Sequence, residues 1–347
     1  MARKMNNRES AKEGMWERIR LQGKAKSTFE TYWGWCSRYI DFANTRQPTG
    51  GWENAEQAAT DWLSSLQVSS KTQNLALQSI CYLYREVLNR PLVGVRAIRS
   101  KIPQRVRDVL DESEVERLFA ELRGVNLLVA LLIYAAGLRI GDAISLRVKD
   151  LSFERCQIHV YDGKGMKDRH CQFPEILHDT VRRQLESSKV LWEWDKENNP
   201  NGVSLPGAFD RKSPKAANEW KWFYLFPSDH LSRDDEGRLK RHHRDASNVS
   251  REIKAASERA GIDKRITSHN LRHSYATHSI EHGVPIHTLQ RLLGHTDIRT
   301  TEGYLHASKD GVTAAKSPLE NLLSNPQLAI DNRRDDQEPP RLRVFAG

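Results

Sequence analysis

Long apolar segments are missing from this sequence of 347 residues. It holds no run of about 18 apolar residues, the length that a helix needs to cross a bilayer. Its beginning, MARKMNNRESAKEG, lacks the apolar core of a secretory signal peptide. Hydrophobic residues still make up 38% of the chain, which is enough for a folded core. These features predict a cytosolic protein with no membrane association.

Cysteine is also scarce, and two common kinds of motif are absent. The four cysteines are scattered, with no CxxC pair: Cys36, Cys81, Cys156 and Cys171. This pattern argues against a disulfide scaffold and against a cysteine zinc site, and it favours reduced, space-filling side chains. No GxxxxGK[ST] loop is present, so nothing indicates ATP binding, and no internal repeat is evident.

Positive charge, in contrast, is in excess. Lys and Arg number 54 against 45 for Asp and Glu, a formal net charge of +9. Such a surplus suggests a polyanionic partner such as nucleic acid. An ordinary solvated basic surface would have the same composition, so charge alone does not distinguish it from a nucleic-acid-binding surface.

Length and pattern divide the sequence into two domains. Residues 1–26 are polar and basic, which predicts a flexible arm. Residues 27–96 open with a Ser27–Glu30 capping box and continue with apolar residues at helical spacing, which predicts an N-terminal helical domain. Its role in DNA binding is implied only by the family resemblance given below. Residues 97–110 form the predicted linker, which is as compatible with simple solvation as with DNA binding. Its candidate DNA contacts are Lys101, Arg105 and Arg107.

The remainder, residues 111–323, predicts a mixed domain. Asp111 or Ser113 caps a helix, and NLLVALLIYAAG reads as a buried helix that ends near its final glycine. The alternating segments CQIHVYDG and DRHCQFP predict a β-hairpin around the turn GKGMKDR. A loop-rich insert is expected at about 192–228, and a charged, proline-containing tail at 324–347. The predicted fold class is therefore α+β, mainly α-helical, with a small antiparallel sheet.

The segment HNLRHSYATH places several hydrogen-bonding side chains in one predicted helix. His269 and His273 are four residues apart and share a helical face, so a metal site, a packed histidine pair and an anion cradle are all open. The metal hypothesis lacks a third ligand and the glutamate of HExxH. Arg272 lies between the two histidines and favours the anion cradle. We therefore predict no metal, with His273 packed behind the site.

Five further polar residues lie where charge is costly or where a side chain is free to reach outward. They are Arg139, Asp142, Lys164, His295 and Tyr304. Each has an ordinary explanation: Arg139 and Asp142 as a structural ion pair, Lys164 as a solvated turn, Tyr304 as core.

Together these residues match one chemical task, the metal-free cleavage of a phosphodiester. Two arginines, Arg139 and Arg272, would hold the non-bridging oxygens as charge develops. Lys164 would protonate the departing 5′ oxygen, and Tyr304 would attack in line. A tyrosine with an ordinary pKa near 10 needs neighbouring cations or an acceptor to attack at neutral pH.

These motifs resemble the tyrosine recombinase, or phage-integrase-like, family. GLRIGDAISL is similar to its first arginine box, DGKGMKDR to its lysine hairpin, and HNLRHSYATHSIEHGVPIHTLQRLLGHTDIRTTEGYLH to its second box. Asp142 stands where the family usually has Glu. The resemblance implies a metal- and ATP-independent DNA strand transferase without a cofactor, a core-binding domain followed by a catalytic domain, and a bacterial, nucleoid-associated enzyme. It assigns catalytic roles to Arg139, Lys164, His269, Arg272, His295 and the nucleophile Tyr304, with Lys167 as a DNA contact.

The resemblance also implies an assembly. Four protomers would form the synapse, with a monomer or weak oligomer in the absence of DNA. Residues 317–329 would dock on a neighbouring protomer through Leu319, Leu322 and Leu323.

The insert narrows the resemblance to integron integrases, which act on folded single-stranded sites. LPGAFDRKSPKAANEWKWFYLFPS and RLKRHHRDASNV are similar to the extra segment of those enzymes. Aromatic rings and imidazoles there would stack on unpaired bases, although the tryptophans would equally serve to pack the insert. The candidates are Trp220, Trp222, Pro227, His242 and His243. Two alternatives stay open: a Xer-like or phage-type recombinase that acts on duplex sites, and a non-catalytic DNA-binding protein of the same fold.

Overall fold

The chain forms two compact units, Met1–Val106 and Arg107–Gly347, and the division falls inside the predicted linker. The computed structural model describes residues 8–46, 54–99, 108–161, 168–207, 209–234, 236–295, 297–302 and 304, together with the backbone of 328–330 and 342–344.

The described part of the first unit is helical. Its helices are α1 (Arg8–Leu21), α2 (Lys26–Thr45), α3 (Ala55–Ser65) and α4 (Ser70–Tyr82), and α4 continues into a π-helical turn, Leu83–Val87. Aromatic side chains dominate the core between them: the Tyr39 ring lies 5.3 Å from Trp62 and 6.1 Å from Tyr84. These aromatics therefore serve packing, as their helical spacing indicates.

Two details of this unit differ from the sequence predictions. The expected flexible arm contains α1, in which Met15 and Ile19 are fully buried. Because these residues are four apart, they share one face of the helix and both reach the core. The Ser27–Glu30 capping box is not used, since α2 begins at Lys26 after Ala25, whose side chain makes no capping bond.

The second unit begins with helices and a three-stranded sheet. Its first elements are α5 (Glu112–Glu121), α6 (Gly124–Ala136), α7 (Ile140–Ile144), β1 (Leu151–Ser152), β2 (Gln157–Val160), β3 (Arg169–Gln172) and α8 (His178–Asn198), with single 3₁₀ turns at Val148–Asp150 and Glu175–Leu177. It continues with α9 (Phe209–Lys212), the 3₁₀ segments Pro214–Asn218 and Trp220–Trp222, β4 (Pro227–Arg233), β5 (Leu239–His243), α10 (Ala246–Arg259), α11 (Ser268–Glu281), α12 (Ile286–Leu293) and α13 (Arg299–Glu302).

The apolar helix α6 forms the centre of this unit. Leu128, Val129, Leu132 and Ile133 on it are buried at 0–3% exposure, and α11, α10 and the hairpin pack around it. The helix ends at Gly137, whose φ of 62° lies in the left-handed region. A Cβ at this position would overlap the ring of Tyr275, so glycine also permits the close approach of α11. The predicted helix end and the predicted Asp111 cap are both confirmed, the latter as a capping box with Glu114.

The antiparallel hairpin follows the predicted alternation. β2 pairs with β3 so that His159 lies opposite His170 and Val160 lies opposite Arg169. Ile158 and Cys171 face the core, which fixes the register because a slip of one residue would turn them outward. The small antiparallel sheets and the helical majority confirm the predicted fold class.

The predicted insert at about 192–228 and the residues that follow it are more ordered than a loop. β4 and β5 form an antiparallel pair, which the sequence patterns did not indicate. A buried ion pair fastens β5 to α8: Arg241 donates from Nε and Nη2 to Asp195 at 2.9 and 2.5 Å, and their side chains are 2% and 4% exposed.

The tail contains one further strand pair, Leu328–Ile330 with Leu342–Val344. Most of the segment 317–329 that we expect to dock on a neighbour lies outside the described residues, including Leu319, Leu322 and Leu323. Throughout the part of the chain that the structure describes, every helix is too short or too polar to cross a membrane.

Candidate active site

The first arginine of the site lies directly after α6. Because the left-handed Gly137 ends that helix, Arg139 becomes the N-cap residue of α7. Its backbone N–H donates to Asp142 Oδ2 at 3.4 Å, and its Nη1 lies 3.8 Å from the same oxygen. The Arg139 side chain is 30% exposed, so solvent reaches part of it.

The second arginine, Arg272, is buried on α11 at 3% exposure. It donates to the carbonyl oxygen of Gly137 and, at 2.6 Å, to that of Leu293, and its Nη2 lies 3.2 Å from His295 Nε2. Burial, then the charges of Arg139 and Arg169, lower the pKa of Arg272 to about 10. The guanidinium is thus still protonated at neutral pH, beside two further arginines and the carboxylate of Asp142.

His295 connects Arg272 to α13 and to Tyr304. Its Nδ1 lies 2.9 Å from Thr301 Oγ1, and its ring stacks 6.1 Å from that of Tyr304. If Nε2 accepts from Arg272, the neutral imidazole carries its proton on Nδ1 and donates it to Thr301.

The candidate nucleophile, Tyr304, is buried at 6% exposure. Its hydroxyl lies 2.9 Å from Nδ1 of His273, which is also 6% exposed. His273 is therefore in direct contact with the phenol. The Tyr304 ring also stacks on that of His295, whose Nε2 lies 3.2 Å from Arg272, and Arg272 donates to the carbonyl oxygen of Gly137, two residues before Arg139. The structure thus brings the two arginines and the phenol, which come from distant parts of the sequence, into one electrostatic neighbourhood.

His269 lies exposed in the first turn of α11, with its ring 6.5 Å from that of His273. A helix N-terminus favours an anion, which agrees with the predicted cradle. Among the described residues no group of three or more His, Cys, Asp or Glu side chains is placed to bind a metal.

Several predicted residues lie outside the described part of the chain. They are the candidate proton donor Lys164 and the candidate DNA contacts Lys101, Arg105, Arg107 and Lys167.

Of the five candidate base-stacking residues, two line one cavity of about 460 Å³ beside the hairpin, namely Trp222 and His243. Tyr161 and Lys149 line it too, with Lys149 Nζ 3.7 Å from the centre of the Tyr161 ring and 4.6 Å from that of Trp222. Neither was singled out in the sequence. The signal available in the sequence for Tyr161 was an aromatic residue at the end of an alternating strand.

The other three candidates lie elsewhere. Trp220 packs against Trp192 and Phe223, with ring centres 5.5 and 5.9 Å apart, which matches the packing alternative. Pro227 is buried at the start of β4, and His242 is half-buried. Burial, then the neighbouring His243, lowers the pKa of His242 below its ordinary value.

Sequence reasoning also missed Arg169, a buried cation on β3 whose Nη2 donates to Asp142 Oδ2 at 2.5 Å. The signal was its inward-facing position in the strand alternation, where an apolar residue is usual.

Comparison with known proteins identifies the family. Residues 108–310 match the model of the phage integrase family, and residues 13–93 match a phage integrase N-terminal SAM-like domain. The chain belongs to the phage integrase family. It is 38% identical over 309 residues to an integrase/recombinase of Escherichia coli, which covers 88% of this chain and 92% of the relative. It is 29% identical to the tyrosine recombinase XerA of Thermococcus onnurineus, over 85% of this chain and 90% of that protein.

Solved structures show the same fold. The Tn1549 transposon integrase in complex with circular intermediate DNA superposes with a TM-score of 0.55 at 17% identity, covering 90% of this chain and 99% of that one. The XerH recombinase bound to difH substrate, in its post-cleavage complex, gives 0.53 at 18% identity, covering 84% and 80%. The family match and the recombinase relatives, rather than these structures, show that the protein is a tyrosine recombinase.

Proposed function

We propose that Tyr304 attacks a scissile phosphodiester of DNA. A bond forms between its phenolic oxygen and phosphorus, the bond from phosphorus to the 5′ oxygen breaks, and a 3′-phosphotyrosine results. Arg139 and Arg272 bind the non-bridging oxygens. The observation that carries the proposal is that His295 lies 3.2 Å from the buried Arg272 while its ring stacks on that of Tyr304. Fixed charges in a buried site stabilise the developing negative charge without reorganisation.

Proton transfers complete the step. The phenol proton passes to His273 Nδ1, 2.9 Å away, in the tautomer whose proton is on Nε2. Lys164 gives a proton to the departing 5′ oxygen. Because the phosphotyrosine keeps the energy of the broken ester, a 5′ hydroxyl of a second site reseals the strand without ATP. The family resemblance supports four protomers in the synapse and a place at the bacterial nucleoid.

The test of this chemistry uses a nicked site from which the cleaved 5′ fragment diffuses away. The unaltered protein is expected to form a covalent adduct that denaturing gels resolve, in the presence of a chelator as well as without it. Tyr304→Phe is expected to form none, and the matched control Tyr32→Phe, a half-buried phenol of the first unit, is expected to behave as unaltered. DNA binding without any adduct would instead favour a non-catalytic DNA-binding protein.

We further propose that the substrates include folded single-stranded sites, as for integron integrases. The support is the cavity lined by Tyr161, Trp222, Lys149 and His243, which offers aromatic faces and a cation beside the active-site hairpin. Stacking of an unpaired base on such faces is worth about 1–3 kcal/mol.

Binding to a hairpin with unpaired bases and to the matched perfect duplex separates the two substrate classes. Preference for the hairpin, reduced roughly tenfold or more by Trp222→Ala, supports the integron type. The control is Trp194→Ala, a half-exposed tryptophan on α8 that does not line the cavity. Equal use of duplex, with no effect of Trp222→Ala, would favour a Xer-like or phage-type recombinase.

A further inference from the structure

Arg169 is a buried cation that the proposed chemistry does not use. It is 6% exposed, and it occupies an inward-facing position of β3 opposite Val160. A buried guanidinium is stable only where acceptors compensate its desolvation. Its Nη2 meets Asp142 Oδ2 at 2.5 Å, so the carboxylate of Asp142 is one such acceptor.

The same carboxylate oxygen also contacts the phosphate-binding candidate Arg139. Asp142 Oδ2 lies 3.4 Å from the Arg139 backbone nitrogen and 3.8 Å from its Nη1. One carboxylate oxygen therefore contacts both cations, and Asp142 holds the two arginines at the same time. A displacement of Arg169 would release the carboxylate and, with it, one side of Arg139.

Arg169 also lies close to Gly294, directly after α12. At Gly294 a Cβ would lie 2.8 Å from Arg169 Cδ, so the absence of a side chain there makes room for the arginine. Next on the same face of β3, the Cys171 thiol donates to the carbonyl oxygen of Leu292 at 3.4 Å. Arg169 thus lies between the end of α12 and the turn that carries Arg139. The end of α12 holds Leu293, whose carbonyl oxygen accepts from Arg272, and is followed by His295.

We propose that Arg169 is a positioning residue for the phosphate site, which fixes the direction of the Arg139 guanidinium through the shared carboxylate of Asp142. The proposal rests on the proposed cleavage by Tyr304. It predicts that Arg169 affects the step in which negative charge is neutralised, and leaves DNA affinity nearly unchanged.

The experiment measures the rate of adduct formation at saturating protein on two nicked sites. One carries a normal scissile phosphodiester, and the other a methylphosphonate, in which a methyl group replaces one charged oxygen and less charge needs neutralising. The variants are Arg169→Met, Arg169→Lys, Asp142→Asn and the double variant Arg169→Met/Asp142→Asn. The control is Arg259→Met, an exposed arginine of α10 paired with Glu252 and Glu121.

On the phosphodiester, Arg169→Met is expected to slow cleavage about tenfold to a hundredfold, because a small misplacement of a catalytic group has that effect. The double variant is expected to be no slower than the slower single variant, since both act through one contact. On the methylphosphonate the deficit is expected to shrink to within about threefold of the unaltered protein, as the charge to be neutralised is smaller. Arg169→Lys keeps the charge but lacks the forked pair of N–H donors. Its cleavage rate is expected to lie between those of the unaltered protein and Arg169→Met.

Arg169→Met cleaving at the unaltered rate, or losing the same factor on both sites, overturns the proposal, because general damage to the fold does not depend on the scissile charge. If Arg169→Met does not fold, Arg169→Lys decides by the same comparison of the two sites. If the unaltered protein forms no adduct at all, the proposed function fails and this inference with it.

Discussion

At the scale of single residues, the site concentrates three arginines around one carboxylate. The charges of Arg139 and Arg169 act on the buried Arg272, and the carboxylate of Asp142 contacts both Arg139 and Arg169. The lowered pKa of Arg272, about 10, reflects this crowding together with burial. A bound phosphodiester would bring further negative charge to this cluster, so substrate binding would offset the repulsion that Arg139 and Arg169 exert on Arg272.

Gly294 allows a prediction at this scale with a matched control. Its φ is +64° and an added Cβ would lie 2.8 Å from Arg169 Cδ, whereas Gly261 has a φ of +63° and nothing within 4 Å of an added Cβ. Both alanine variants strain the backbone by about 1–2 kcal/mol. Gly294→Ala is expected to lose about 1–3 kcal/mol more, because it also displaces Arg169.

Urea unfolding of Gly294→Ala and Gly261→Ala measures this difference. Equal destabilisation of the two variants would show that Arg169 does not need the space at position 294.

The motif residues were predictable from the sequence, and their supporting residues were not. Arg139, Arg272 and Tyr304 stand out because their spacing and chemistry match one reaction. Arg169 does not, because a charged residue in a short strand has many explanations until its partner Asp142 is known. Likewise, the contact of His273 with the Tyr304 hydroxyl depends on the tertiary position of the chain after α13.

At the scale of elements, the buried pair Asp195–Arg241 connects β5 to α8. Asp195→Asn leaves a buried guanidinium without its counter-charge, which costs about 3–5 kcal/mol. The control is Asp179→Asn, whose pair with Arg182 is 86% and 53% exposed. It is expected to change stability by less than about 1 kcal/mol.

Chemical denaturation of both variants tests this assignment. A loss below about 1 kcal/mol for Asp195→Asn would contradict it, since an exposed pair is worth no more than that.

A second ionic cluster, which joins Asp210 to Lys240 and Arg238, predicts a pH dependence of stability. Burial alone would raise the pKa of Asp210, but Lys240 and then Arg238 lower it below the ordinary 3.8. The carboxylate contacts the 3%-exposed Lys240 at 2.5 Å. Because the folded pKa is the lower one, this stabilisation is fully present above pH 3.8 and is lost as the pH falls through the folded value.

Thermal unfolding from pH 7 down to pH 3 is the measurement. Asp210→Asn is expected to lower the midpoint by a constant amount at neutral pH, and the difference from the unaltered protein should narrow below about pH 4. The control is Asp229→Asn, whose 66%-exposed carboxylate pairs with Arg244 at the surface. A difference that stays constant down to pH 3 would show that the Asp210 carboxylate does not cause it.

The elements themselves were predictable where one periodicity dominates. The buried helix α6, the capping box at Asp111 and the β2–β3 hairpin follow directly from apolar period and turn chemistry. The helix α1 was missed because only Met15 and Ile19 of its residues are buried, so its polar composition resembles a flexible arm. The pair β4–β5 was missed because its buried positions include Lys240 and Arg241, whose burial depends on Asp210 and Asp195.

At the scale of the whole molecule, a net charge of +9 accompanies a site built from arginines. Contacts with phosphates would make affinity for DNA fall with salt. Affinity of that kind is not specific, however, and many basic proteins share it. The central claim is narrower: two guanidinium groups and one phenol surround a single backbone phosphate.

The direct measurement of that claim is the chemical identity of the protein–DNA bond. Adduct formed on a nicked site would be digested with protease and nuclease, and the peptide carrying the residual nucleotide sequenced by mass spectrometry. The account predicts a 3′-phosphate ester on the hydroxyl of Tyr304, formed far more slowly when Arg139 or Arg272 is replaced by methionine. A nucleotide attached to any other residue, or an adduct that forms equally fast without either arginine, would contradict it.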